Sequence, residues 1–216
     1  MPRASRACGI LERIAARIPL PDEFGGRAFL VNEARAAGVC RSRLAGRDLQ
    51  RPFRGIRAVA STGDLEAQCA ALTLRIPLRA FFTHVIAAKP MRFPLPRRLE
   101  TARPLHVGVA EPDRAVDARD IVGYRLRVTP AELAAWGGLR QAGPVRTWLD
   151  LASGLSLVEL VAVGDHIVHR ENPLVTFQEL KDARGRYPSR RGLVRARAAG
   201  GAGASEASEA TEAVAA

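Results

Sequence analysis

Apolar residues recur with helical spacing through the first part of the chain. Between residues 9 and 18 they form one stripe beside a row of arginines, which predicts an amphipathic helix with a basic edge. The segment PLPDEFGG at 19–26 ends this helix, because proline and glycine interrupt helices. Further helices are expected at about 31–37 and 41–49, with Gly38 in the turn that joins them. A helix, a glycine turn and a second short helix together predict a helix-turn-helix.

The segment that follows, QRPFRGIRAV at 50–59, predicts a two-stranded wing. Its apolar residues surround Gly55, which marks a turn between the two strands. Cys40 occupies the N-cap of the preceding helix, where serine or threonine would be the stronger cap. Residues 1–60 are therefore predicted to form a winged helix-turn-helix domain.

Beyond residue 60 the pattern becomes a mixture of helices and strands. Alternating apolar residues predict strands at 105–110 and 121–128. Caps, prolines and helical periodicity predict helices at 64–74, at 80–88, after Thr129, from Pro144 to Ala152, after Ser156, after Thr176 and after Ser189. The helix after Ser156 is apolar almost all round, which predicts a central position in the core.

These elements predict an α+β protein with three parts. A winged helix-turn-helix domain occupies 1–60, a mostly helical α/β domain with a small sheet occupies 61–198, and a low-complexity tail occupies 199–216. The tail is expected to be disordered, since it consists almost entirely of Ala, Gly, Ser and Glu. Trp148 lies on a helix begun by proline and is predicted to be a core residue.

The charge of the chain points to a polyanionic partner. The 216 residues include 33 Lys+Arg and 22 Asp+Glu, which gives a net charge of +11 and a pI near 11.1. Residues 1–60 hold 12 Arg and 5 acidic residues, a net charge of +7, whereas residues 61–198 reach the same +7 over more than twice the length. Positive charge is therefore concentrated in the predicted DNA-binding domain.

The remaining composition argues for a cytoplasmic protein without a membrane span. Three cysteines form no CxxC pair and are read as reduced thiols. Arg75 and Arg79 interrupt the most apolar stretch, which excludes a membrane helix there.

The predicted recognition helix and wing supply the candidate contacts to double-stranded DNA. Side chains at the start of a recognition helix meet base edges, and arginine pairs bidentately with guanine or phosphate. Wing arginines are expected to lie near phosphates. The predicted DNA-binding residues are Arg41, Ser42, Arg43, Arg47, Arg51, Arg54 and Arg57. The alternative is a solvated basic face that reflects the general arginine richness of the chain.

Four segments in this order resemble actinobacterial proteins related to the AbiEi antitoxins of type IV abortive-infection toxin-antitoxin systems. They are EARAAGVCRSRLAGRDLQRPFRGIRAV, FFTHVIAAKPMRFPLP, LHVGVAEPDR and VRTWLDLASGLSLVELVAVGDHIV, and the resemblance covers about residues 10–198. It implies a winged helix-turn-helix followed by an antitoxin domain. It also implies a transcriptional regulator that binds its own operator and neutralises a nucleotidyltransferase-like toxin.

Two features separate this chain from those relatives. Cys40 stands where they commonly have serine, and Ala142-Gly143 stands where they have Thr-Ser. Many of them continue into a Vsr-like nuclease domain, which this chain is expected to lack. The alternative function is therefore a remnant of a Vsr-like nuclease family protein that acts as a non-catalytic interaction module.

Three weaker motifs contain residue types that could carry chemistry. Glu179-Leu180-Lys181 matches the ExK element of restriction-type nucleases, but Glu179 also completes a helical capping box. Asp165, His166 and His169 have helical spacing for a metal, yet Asp165 is better explained as a buried carboxylate paired with Arg146 or Arg119. His84 and His106 are isolated in sequence and are interpreted as structural. No catalytic, cofactor or metal site is therefore expected, and the protein is predicted not to be an enzyme.

Overall fold

The computed structural model describes residues 19–59, 64–100 and 104–186. The chain divides into two compact units, Met1–Leu78 and Arg79–Ala216. The helices predicted at 9–18 and after Ser189, and the tail at 199–216, lie outside the described residues. No described helix has the length and apolar character needed to cross a membrane.

The first unit consists of short helices and a small antiparallel ladder. A 3-10 turn at Asp22–Phe24 is followed by β1 (Ala28–Leu30), α1 (Val31–Ala36), α2 (Arg41–Leu44), β2 (Ile56–Ala58) and α3 (Leu65–Thr73). β1 pairs with β2, with Ala28 opposite Ala58 and Leu30 opposite Ile56. Gln50 pairs with Ala58 as well, so Ala58 lies between Ala28 and Gln50.

A small apolar core holds these elements together. Phe29 and Ile56 on the two strands are fully buried, and Phe29 packs with Phe24 at a ring separation of 4.8 Å. The helices and the segment after them contribute Ala34, Leu44 and Leu49. Removing this apolar surface from water stabilises the unit by about 25 cal/mol per Å² buried.

Two predictions for the first unit need correction. The second helix of the helix-turn-helix was expected over 41–49 but ends at Leu44, because Ala45 and Gly46 follow and glycine is unfavourable inside a helix. The wing was expected as a local hairpin over 50–59. Instead β2 pairs mainly with β1, which precedes both helices, and only Gln50 pairs from the other side.

The second unit contains a five-stranded mixed sheet. Its strands are β3 (Phe81–Phe82), β4 (Leu105–Ala110), β5 (Ile121–Leu126), β6 (Leu133–Trp136) and β7 (Leu139–Ala142), in the order β5-β4-β3-β7-β6. β4 runs parallel to β5 and β3 parallel to β7, whereas β3 with β4 and β6 with β7 are antiparallel. The prediction of a mixed α+β fold with a small sheet is confirmed.

Five helices lie in the described part of the second unit. They are α4 (His84–Ala88), α5 (Arg97–Glu100), α6 (Pro144–Leu151), α7 (Leu157–Ile167) and α8 (Phe177–Arg186). The capping boxes before α7 and α8 are confirmed, with Ser156 and Thr176 each bonded to the glutamate three residues later. Trp148 on α6 is 1% exposed and donates its indole N–H to Leu160 O at 2.9 Å, so the prediction of a core residue is also confirmed.

Three predicted helices of the second unit differ from the structure. Residues 81–82 form a buried strand, and the helix expected over 80–88 begins only at His84. The capping box at Thr129 begins a single 3-10 turn, after which β6 and β7 form a hairpin. Gly137 and Gly138, both with positive φ, supply the tight turn of this hairpin. α7 buries one side only, since Val158 is 79% exposed.

Candidate nucleic-acid interface

The turn between α1 and α2 is built around a glycine in a left-handed conformation. Gly38 has φ 85°, a left-handed conformation that glycine adopts without a Cβ penalty. The Val39 N–H donates to Ala34 O at 2.9 Å, which ties the turn to the end of α1. Cys40 is the N-cap of α2 as predicted, with extended backbone, but its side chain makes no capping hydrogen bond. The Cys40 Sγ atom lies instead 3.1 Å from Ser42 Oγ.

The structure divides the seven predicted DNA-binding residues into two groups. Five have exposed side chains, and two are held inside the first unit by hydrogen bonds to protein groups. The exposed residues are Arg41, Ser42, Arg47, Arg51 and Arg54. The internal residues are Arg43 and Arg57.

Arg43 differs most from the prediction that it reads bases. It is only 5% exposed, and its guanidinium makes two parallel hydrogen bonds to Asp48, at 3.0 Å to Oδ1 and 2.7 Å to Oδ2. Such a bidentate pair is the strongest geometry for an arginine and a carboxylate. Arg43 therefore belongs to the internal structure of the unit and not to its surface.

Arg57 is half-buried beneath the end of α2. Its Nε donates to Leu44 O at 2.8 Å and its Nη1 to Ile56 O at 2.9 Å. Burial, and then the charge of Arg51, lower the pKa of Arg57 below its ordinary value. Arg57 therefore has a structural role at the end of α2.

One further arginine lies at the same loop and was missed by the sequence analysis. Arg75, just after α3, is exposed and donates its Nη1 to Arg54 O at 2.5 Å. Gly55, with φ 79°, lies beside this guanidinium. No local sequence pattern signals this contact, because the two residues are 21 positions apart. Arg75 therefore adds positive charge beside the 51–55 loop.

The second unit holds a buried ion pair at the start of α6. Arg146 Nε donates to Asp150 Oδ1 at 2.9 Å, and the Thr83 hydroxyl donates to Asp150 Oδ2 at 2.7 Å. Arg146 Nη1 also donates to Arg127 O at 2.8 Å. The prediction that Asp165 is a buried carboxylate is wrong, since it is exposed on α7, and the buried carboxylate beside Arg146 is Asp150.

His84 and His106, predicted to be isolated, lie together with Tyr124. The His84 ring stacks on the Tyr124 ring at 4.0 Å, and His106 Nδ1 lies 2.9 Å from the Tyr124 hydroxyl. His84 has φ 53°, which is uncommon for a residue with a Cβ, and its buried Nδ1 has no hydrogen-bond partner among the described residues. Burial, then the nearby His106 and Arg146, lower the pKa of His84 to about 3.

This histidine is expected to make the second unit sensitive to acid. The unfolded chain binds a proton at the ordinary pKa of 6.5, whereas folded His84 does not until about pH 3, so stability is lost as pH falls through that interval. We expect a loss of about 2 kcal/mol at about pH 5 relative to neutral pH. Urea unfolding at both pH values would measure it. His84→Phe should remove this loss and the exposed His169→Phe should not; equal acid sensitivity of both variants would contradict the assignment.

The motifs considered for catalysis have structural roles. Glu179 lies in the first turn of α8, where its carboxylate accepts the Thr176 N–H and hydroxyl at 2.8 Å each, and these bonds lower its pKa. The ExK element is therefore on a helix, not on the strand that restriction-type chemistry uses. His166 Nε2 lies 3.0 Å from Met91 O, whereas His169 is exposed. Within the described residues no three His, Cys, Asp or Glu side chains are placed to share a metal ion.

A cleft of about 520 Å³ lies in the second unit between the 127–132 segment and helices α6 and α8. Its walls are largely apolar, including Val128, Leu149 and Val175. The two carboxylates at its edge, Glu132 and Glu179, both accept hydrogen bonds from the threonine that caps the following turn or helix. Both carboxylates therefore already accept hydrogen bonds from groups of the fold.

Comparison with known proteins gives a likeness of fold. No family model matches the chain, and none of the curated proteins is similar to it. Among solved structures, the crystal structure of the RV2827C protein from Mycobacterium tuberculosis is similar, with a TM-score of 0.53 and 16% identity. The match covers 91% of this chain and 78% of that one. The likeness is one of fold alone.

Proposed function

We propose that the protein is a transcriptional regulator whose first unit binds double-stranded DNA. The observation that carries the proposal is the exposure of Arg41 and Ser42 on the first turn of α2, the helix that follows the Gly38 turn. In helix-turn-helix proteins the first helical turn of the second helix enters the major groove and meets base edges. Arginine there recognises guanine, and the serine hydroxyl bonds to several bases.

The strand pairing of the first unit favours a winged form of this motif. Ala58 lies between Ala28 before the helices and Gln50 after them, and the 51–55 loop joins Gln50 to β2. We interpret this loop as the wing. It carries the exposed Arg51 and Arg54 and has Arg75 beside it, which gives the unit positive charge for phosphates at a second point.

Arg54 provides the first test of this proposal. Full-length protein is expected to bind duplexes from the DNA upstream of its own gene more tightly than scrambled duplexes of the same length. Arg54→Ala should weaken binding to both kinds of duplex and reduce the salt slope by about one, because one phosphate contact is lost. Fluorescence anisotropy over a series of salt concentrations measures the slope. Arg140→Ala, which removes an exposed arginine of the second unit, serves as the control; an unchanged slope for Arg54→Ala would remove the loop from the interface.

The resemblance to AbiEi-like antitoxins extends the proposal to the second unit. In this extension the protein represses its own operon in the cytoplasm and neutralises a nucleotidyltransferase-like toxin. The alternative, a non-catalytic interaction module derived from a Vsr-like nuclease protein, is favoured by the capping role of Glu179, which leaves the ExK element without a free carboxylate. A nucleotidyltransferase-like gene directly downstream would support the antitoxin role, and its absence would favour a solitary regulator.

A further inference from the structure

The proposed reading helix α2 is too short to hold its own orientation. It spans four residues, Arg41–Leu44, and begins at a cysteine whose side chain makes no capping bond. An isolated turn of helix is unstable in water, because nucleation fixes several residues for a single hydrogen bond. The direction in which Arg41 and Ser42 point must therefore be set by contacts outside the helix.

The first such contact fastens the inner side of α2. Arg43 is buried, and both of its terminal nitrogens bond to the Asp48 carboxylate. The chain between the two residues passes through Gly46, where an added Cβ would lie 2.5 Å from Asp48 Oδ1 and 2.8 Å from Arg43 Nη1. A side chain at this position would displace the pair, so glycine is the residue that lets Asp48 reach Arg43.

The second contact fastens the C-terminal end of α2. The last carbonyls of a helix have no partners within it, and cationic side chains near them are favourable. Arg57 donates to Leu44 O at 2.8 Å, and Arg51 donates to Ala45 O at 3.3 Å. Both arginines follow α2 in sequence, with Arg51 at the start of the 51–55 loop and Arg57 on β2 just after it. The helix end is therefore bonded directly to the stem of the proposed wing.

We propose that Asp48 and Arg57 are positioning residues for DNA recognition, which hold α2 at the angle where Arg41 and Ser42 meet base edges. This inference rests on the proposed function. Asp48 repels phosphate, so any contribution it makes to DNA binding must come through its pair with the buried Arg43. Its carboxylate acts through Arg43, and Arg57 acts through Leu44 O.

The substitution Asp48→Asn separates this role from electrostatics. It adds one positive charge to the unit, so charge alone predicts tighter binding to every duplex and a steeper salt slope. A positioning role predicts the opposite for the specific site. We expect binding to the upstream duplex to weaken about tenfold, the effect of losing one charged hydrogen bond, while binding to scrambled duplexes stays equal or becomes tighter.

Asp22→Asn is the matched control, since it makes the same charge change at an exposed position of the 3-10 turn. Hydrogen exchange of the Ser42 to Leu44 amides in DNA-free protein gives a second measurement, in which Asp48→Asn should exchange faster than Asp22→Asn. If Asp48→Asn fails to fold, Arg57→Lys provides the test. It keeps the positive charge but loses one of the two donor contacts. It should lower the ratio of binding to the upstream duplex over binding to scrambled duplexes.

The outcomes distinguish this inference from the proposed function. A variant that folds, discriminates between the duplexes as well as wild type and keeps slow exchange in α2 would overturn the positioning role. Failure of the wild-type protein to distinguish the upstream duplexes from scrambled DNA would instead overturn the proposed function, and with it the role of Asp48 in recognition.

Discussion

Arg41→Ala is expected to abolish most of the discrimination between operator and scrambled DNA. Arg41 is exposed on the first turn of α2, and in the proposed interface its guanidinium reaches the two acceptors of a guanine in the major groove. Losing one such bidentate contact costs about 1–3 kcal/mol, which corresponds to roughly ten- to hundredfold weaker specific binding. Non-specific binding should change by much less, because the loss of one charge among many alters it only slightly.

Anisotropy titrations against upstream and scrambled duplexes give both constants for each variant. Arg140→Ala in the second unit has the same change of charge and should leave the ratio of the two constants unaltered. A ratio for Arg41→Ala equal to that of wild type would show that α2 does not read the bases. Circular dichroism of the same samples establishes that the variants are folded.

The largest effect on stability is expected at Arg146. Replacing it by methionine leaves the Asp150 carboxylate, whose side chain is 1% exposed, without its cation. An uncompensated buried charge destabilises a fold by about 3–5 kcal/mol. The hydroxyl of Thr83 still donates to Asp150, but a neutral donor replaces only part of the lost interaction. Urea unfolding of the full chain should show this loss in the free energy of unfolding of the second unit.

The double variant Arg146→Met with Asp150→Asn removes both charges together. It is expected to recover part of the stability lost in Arg146→Met, since the penalty comes mainly from the carboxylate left behind. Arg140→Met, at an exposed site on β7, controls for the change of residue type and should differ little from wild type. If Arg146→Met unfolds at the same urea concentration as Arg140→Met, the ion pair contributes no net stability.

Features encoded within a few neighbouring residues could be predicted from the sequence. The strand at 105–110 follows from strict alternation, and the capping boxes at Ser156 and Thr176 follow from side chains that bond three residues away. In contrast, the partner of β2 lies before both helices, and the neighbours of His84 come from β4 and β5. No local pattern carries such distant contacts, so they could not be predicted.

The division of the arginines illustrates the same limit within one helix. Arg41 and Arg43 have the same side chain, but residues two apart on a helix do not share a face. One is therefore exposed, whereas the other is buried and bonds to the partly exposed carboxylate of Asp48. The helical period was sufficient to separate them, whereas the identity of the internal partner required the fold.

The ladder between β1 and β2 makes the first unit a single folding event. Its two strands, Ala28–Leu30 and Ile56–Ala58, enclose the entire helix-turn-helix in one chain loop. Closing a loop of this length costs conformational entropy before any pairing repays it, and the one-turn α2 has no independent stability. We therefore expect α2 to form together with the ladder. The proposed DNA-binding function would then have no partly folded form that retains α2, and we expect any affinity for DNA to disappear in one step with the unfolding of this unit.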